Sequence, residues 1–157
     1  MRTPNLRELS QRFGLAFSFL LLCIGLSLLS DRFLTVSNAV NVLRQSTING
    51  IIAVGMTFVI LTAGIDLSVG AILALSTVVT ADLLQKGAPV PLAVLAGLGL
   101  GTGLGLANGV IITKARVPPF VATLGMMTVA RGLTLTYTQG RPITGLSEAF
   151  RFIGTGS

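Results

Sequence analysis

The residues most able to act on something other than their own fold are polar groups set in long apolar runs. Asp66 and Arg131 are ionisable, and Asn49, Ser68 and Thr123 add amide and hydroxyl groups. Asp66 lies in Gly64-Ile65-Asp66-Leu67-Ser68, where two apolar runs meet with almost no loop between them. Asp and Ser are good helix N-caps, because a side-chain oxygen accepts the orphan N–H groups of a first turn. A carboxylate there also complements the positive end of the helix dipole. Two readings stay open: a capped structural turn, or a helix broken at membrane depth that exposes backbone groups to a polar solute. Arg131 falls about 16 Å along a helix counted from Phe120, too deep for easy snorkelling. It therefore needs a wet cavity or an acidic partner, for which Asp66 and Asp82 are the candidates.

Catalytic constellations are missing from the sequence. It has no His and 1 Cys, so His-based triads and His/Cys metal sites have no ligands. No carboxylate pair flanks a nucleophile, which argues against an enzyme. GxxxxGK[ST] does not occur, so any nucleotide hydrolysis belongs to another chain, and no cofactor is expected. The run Gly97 to Gly105 lacks the i, i+2, i+5 spacing of a dinucleotide fingerprint. Instead Gly97, Gly101, Gly105 and Gly109 recur every fourth residue, which puts them on one helix face and suits close approach of a neighbouring helix. Asn108, near the end of the same run, reads as an interhelical hydrogen-bonding group.

The elements that carry these residues follow from composition. Of 157 residues, 52% are hydrophobic and 10% charged, and the mean hydropathy is +0.86. Soluble domains carry about 25% charged residues, so lipid is the natural solvent here. Apolar runs predict five membrane helices, at approximately 13–30, 47–63, 68–84, 91–113 and 120–138. The fold class is all-α and polytopic, with 1–157 read as the N-terminal part of one transmembrane domain. Residues 38–46 suit a short interfacial helix or the lead-in turn of the second span. The first run is longer than the apolar stretch of a signal peptide and no A-x-A site follows it, so it reads as a retained helix. The formal charge is +6, but Lys and Arg fall mostly between spans, without a basic stripe for nucleic acid. Arg2, Arg7 and Arg12 before the first span, with Lys114 and Arg116 in a short turn, favour a cytoplasmic N-terminus.

The stretch Asn49 to Gly70, NGIIAVGMTFVILTAGIDLSVG, resembles the ribose/xylose/arabinose-type ABC permeases, whose hallmark is a G-I-D-L-S-V-G segment opening a helix. Here that segment is Gly64, Ile65, Asp66, Leu67, Ser68, Val69 and Gly70. The resemblance extends to Phe33–Gly50 and to Val117–Ile143, in the family's order. It implies a bacterial inner-membrane permease that forms the translocation path for a monosaccharide. The implied partners are an ABC ATPase subunit, a periplasmic sugar-binding protein and a second permease chain. Family members are longer and built from two related halves, so this chain reads as the N-terminal half, with the cytoplasmic coupling loop expected on a missing C-terminal half. Asn49, Asp66, Ser68, Thr123 and Arg131 are then the candidate path-lining groups, since a sugar needs bidentate polar contacts in a snug cavity. Two alternatives stand beside this reading: an ion-coupled carrier using Asp66, and a non-transporting component that packs through its glycine stripe.

Overall fold

A computed structural model describes residues 6–146 together with Phe150 and Phe152, with side chains from residue 13 onward. The Arg2, Arg7 and Arg12 side chains, on which the orientation partly rests, lie outside the described residues. The described chain is helical: α1 (Leu6–Leu29), α2 (Val36–Leu61), α3 (Val69–Gln85), α4 (Val90–Lys114) and α5 (Pro119–Thr138). It divides into two compact units, residues 1–51 and 52–157.

In the first unit α1 gives way to a short turn and then to the start of α2. Thr35 caps α2, with its Oγ1 accepting the Asn38 N–H at 3.3 Å while its carbonyl accepts Ala39 N–H at 3.0 Å. Asn38 Nδ2 donates to the Phe33 carbonyl at 2.7 Å and pins the turn from the other side. Residues 38–46 are therefore the opening turns of α2 and not a separate interfacial helix. No Gly or Pro interrupts them, so the cap propagates straight into the apolar run. At 26 residues α2 is about 39 Å long, which exceeds a hydrocarbon core of about 30 Å.

The second unit holds the end of α2 and the bundle of α3, α4 and α5. Here α3 is the central element, packed most extensively on α4, then on α5, with a smaller contact between α4 and α5. Its interior is made of small and polar side chains: Ala93, Ala122, Ala130, Ser68, Thr80, Asn108 and Thr123 are buried, with Leu75 the one large apolar group among them. Leu, Ile, Val and Phe instead make up much of the exposed surface of α1, α2, α4 and α5, while the central α3 exposes Leu73 and buries Leu75. That distribution is the reverse of a water-soluble core. It is what lipid favours, because tails solvate large apolar side chains as well as a protein interior does and leave close packing of small residues to hold helices together.

By length and composition α2 and α4 are apolar enough to cross a bilayer, and Phe13–Leu29 and Val69–Gln85 are shorter apolar helices. α5 has 20 residues, about 30 Å, but Arg131 and its threonines dilute its apolar character. The helix ends are locally encoded. Ala63 and Gln139 take left-handed backbone (φ 55° and 52°), and the next residue's N–H reaches five residues back, Gly64 to Val59 O and Gly140 to Leu135 O, closing α2 and α5 by Schellman turns. Pro91 and Pro119 sit in the first turns of α4 and α5, where a missing N–H costs nothing.

Candidate functional site at the helix break

The segment between α2 and α3 is held by hydrogen bonds from three directions. Asp66 Oδ1 accepts the Ser68 backbone N–H at 2.7 Å and the Ser68 hydroxyl at 2.6 Å. This i, i+2 arrangement is an Asx turn, in which the carboxylate stands in for a backbone acceptor and aims the chain into α3. Ser68 is the N-terminal flank of α3, yet its side chain makes no capping bond to the helix. Its hydroxyl instead donates to Asp66 and accepts from Asn108 Nδ2 on α4 at 2.9 Å. From α5, the Thr123 hydroxyl lies 3.1 Å from the Ile65 carbonyl and 2.9 Å from the Pro119 carbonyl of its own helix. The break is thus tied to both neighbouring helices through backbone and side-chain oxygen.

Burial sorts these groups. Ser68 is 0% exposed, Thr123 2% and Asn108 4%, whereas Asp66 is half-buried. Ser68 and Thr123 spend their hydroxyls on protein partners, and Asp66 keeps one side toward the surface of the unit. Asn108 Oδ1 is buried with no partner among the described residues. A buried amide oxygen left without a donor costs about 1–3 kcal/mol, so the α3–α4 contact carries one unspent acceptor beside the break.

The glycine stripe of α4 divides in two. A Cβ on Gly97 would overlap Thr80 Oγ1 and lie 3.1 Å from the Ser76 carbonyl, and one on Gly101 would lie 3.1 Å from Ser76 Oγ. At Gly105 and Gly109 an added Cβ meets nothing. Among the described residues the close approach to α3 therefore uses Gly97 and Gly101, and Gly105 and Gly109 face open space. α4 and α3 converge toward the Thr80 end of α3, while at the other end Asn108, not glycine, makes the contact.

Neither of the two candidate acidic partners is bonded to Arg131 among the described residues. Asp66 is engaged by Ser68. Asp82 accepts Lys86 Nζ at 2.6 Å and the Tyr137 hydroxyl, which links the C-terminal ends of α3 and α5. Beside them Gln85 Nε2 donates to the Thr144 carbonyl. Lys86 is held above its usual lysine value by the hydrogen bond to Asp82, reinforced by the charge of that carboxylate. Arg131 is exposed on α5 and makes no hydrogen bond or ion pair among the described residues. Asn49 belongs to the first unit and is exposed there. The network that sequence reasoning left incomplete is the Ser68–Asn108 bond: both residues are visible in the sequence, but their pairing across 40 positions is not.

A bundle of helices with small and polar contacts inside and large apolar side chains outside has the architecture of a helical membrane protein. The family model described as "Branched-chain amino acid transport system / permease component" matches residues 38–155, and the chain belongs to that family of membrane permeases. It is 52% identical over 142 residues to the ribose import permease protein RbsC of Bacillus subtilis, covering 90% of this chain and 44% of that protein. It is 47% identical over 152 residues to RbsC of Haemophilus influenzae, covering 94% and 46%. To the D-allose transport system permease protein AlsC of Escherichia coli it is 42% identical over 125 residues, covering 79% and 38%. The chain spans less than half the length of these relatives. No solved structure matches it.

Proposed function

We propose that this chain is the N-terminal half of the permease of an ATP-driven importer for a monosaccharide, ribose or a related pentose. The observation that carries the reading is the 52% and 47% identity to two ribose import permeases across at least nine-tenths of the chain, against 42% to a D-allose permease. The chain performs no bond chemistry. Its part is to build one side of a path through the bilayer, in the inner membrane, with its N-terminus in the cytoplasm. ATP hydrolysis belongs to a separate ATPase subunit, a periplasmic binding protein delivers the sugar, and a second permease chain together with a C-terminal half completes the channel.

Within that path the candidate groups divide by burial. Ser68 and Thr123 hold the break in shape from inside the bundle, so that the half-buried Asp66 carboxylate is presented at a fixed angle. A fixed carboxylate can accept two sugar hydroxyls at once, which a mobile one does less well. Asn49, exposed in the first unit, stays a candidate path group by its residue type alone.

The test is labelled-ribose uptake in cells that lack their own ribose permease but keep its ATPase and binding protein. The chain is expressed alone, and together with the part of B. subtilis RbsC that it does not match. Uptake on co-expression only is the expected result. Uptake by the chain alone would sink the half-permease reading, and so would its absence on co-expression with both chains verified in the membrane.

A further inference from the structure

We infer that the outward face of α5 around Arg131 docks a membrane helix bearing a carboxylate, supplied by the permease segment that this chain's relatives have and this chain does not match. The inference rests on the half-permease reading and gives Arg131 a role in assembly instead of in the sugar path.

The buried side of α5 is set by Ala122, Thr123 and Ala130, which pack inward. The opposite side carries Leu124, Gly125, Thr128, Arg131, Gly132 and Leu135, all exposed. Arg131 lies about 18 Å from the Pro119 end of a helix about 30 Å long, near the middle of its length. A guanidinium at that depth is costly in lipid, so an outward face carrying one favours cover by protein or water. A Cβ at Gly125 or Gly132 meets no atom, so a partner backbone has room to come close on either side of the Arg.

Charge complementarity decides what the partner carries. A guanidinium at mid-depth is matched by a carboxylate, with bidentate geometry available to Arg. Among the described residues a second copy of this chain offers no carboxylate at depth that lacks a partner of its own. Asp66 is held by Ser68, Asp82 by Lys86 and Tyr137, and Asp31 lies in the turn between α1 and α2. The relatives are more than twice the length that this chain matches, so further helices are at hand in a complete permease.

The experiment is detergent co-purification of the tagged chain with the unmatched part of B. subtilis RbsC, both expressed in the same membranes. Wild-type chain is expected to retain the partner. Arg131→Leu is expected to lose about tenfold of it and Arg131→Lys to lose less, since a lysine keeps the charge without the fork. Arg131→Glu is expected to lose it and to regain it when one Asp or Glu in a partner span is changed to Lys. Membrane insertion and the helical signal of each variant are measured first, so that loss of partner is read only from folded chain. Undiminished co-purification of Arg131→Leu, or no charge reversal that restores Arg131→Glu, overturns the inference. If Arg131→Leu keeps its partner but loses uptake, Arg131 lines the sugar path, which overturns the inference and leaves the half-permease reading standing.

Discussion

Replacing Gly97 by alanine is expected to loosen the α3–α4 contact, while the same change at Gly105 is expected not to. The two positions share a helix and a face in the sequence, so propensity alone treats them alike and favours alanine at both by about 1 kcal/mol. Their surroundings differ. At Gly97 the new methyl would overlap Thr80 Oγ1, whose hydroxyl is already bonded to the Ser76 carbonyl at 2.9 Å, and that backbone oxygen would itself lie 3.1 Å away. Threonine is short and stiff, so it cannot swing clear as a lysine would. Overpacking of this kind costs about 1–3 kcal/mol, which outweighs the propensity gain. At Gly105 the methyl meets nothing, and the gain should survive. The clash has an identifiable owner, so it should be separable: removing the Thr80 hydroxyl leaves Thr80 Cβ at 3.5 Å, an ordinary contact. In a Thr80→Ala background Gly97→Ala should therefore cost about 1–2 kcal/mol less than in wild type. The assay is loss of helical circular dichroism on titration with SDS from mild-detergent micelles, run on the four chains of the cycle and on Gly105→Ala. Equal midpoints for Gly97→Ala and Gly105→Ala, or a Gly97→Ala cost unchanged by Thr80→Ala, would refute the reasoning.

Three further outcomes are expected in the same titration. Ser68→Ala removes the acceptor of Asn108 Nδ2 and a donor to Asp66, and should destabilise the second unit by about 1–3 kcal/mol. Thr123→Val keeps the shape but drops the bond to the Ile65 carbonyl, and should cost about 0.5–1.5 kcal/mol. Ala63→Gly relieves a left-handed backbone at the end of α2 and should stabilise by about 1 kcal/mol; no gain would mean that Ala63 is unstrained at φ 55°.

Much of the fold was legible because hydropathy in a membrane protein is blunt. Charge-free runs place helices, and Pro91 and Pro119 mark two starts within a residue or two. The beginning of α2 was less clear, since Asn41, Arg44 and Gln45 read equally as an interfacial turn, and the decision lay with the Thr35 cap. At the site, Asp66 announces itself as a carboxylate between apolar runs. What completes the network is not legible, because the Ser68 hydroxyl that donates to Asp66 can accept from many donors, and only the placement of α4 brings Asn108 Nδ2 within 2.9 Å of it. The glycine stripe shows the same limit from the other side. Periodicity puts Gly97, Gly101, Gly105 and Gly109 on one face, but two helices that cross at an angle touch along only part of that face. For Arg131 the sequence offers Asp66 and Asp82 as candidate acidic partners, or a wet cavity in their place. Each carboxylate prefers a nearer donor: Ser68 two residues from Asp66, and Lys86 one helical turn from Asp82.

The central claim, that this chain works as half of an ATP-driven sugar permease, is tested most directly by the energy source of the uptake it supports. Membrane vesicles holding the chain, the unmatched part of B. subtilis RbsC and the ATPase are given labelled ribose with the binding protein, with either ATP or an imposed proton gradient. The account predicts uptake that needs ATP and an intact ATPase and is indifferent to a protonophore. Uptake driven by the gradient without the ATPase, and lost on Asp66→Asn, would contradict it and make Asp66 the coupling group of an ion-driven carrier.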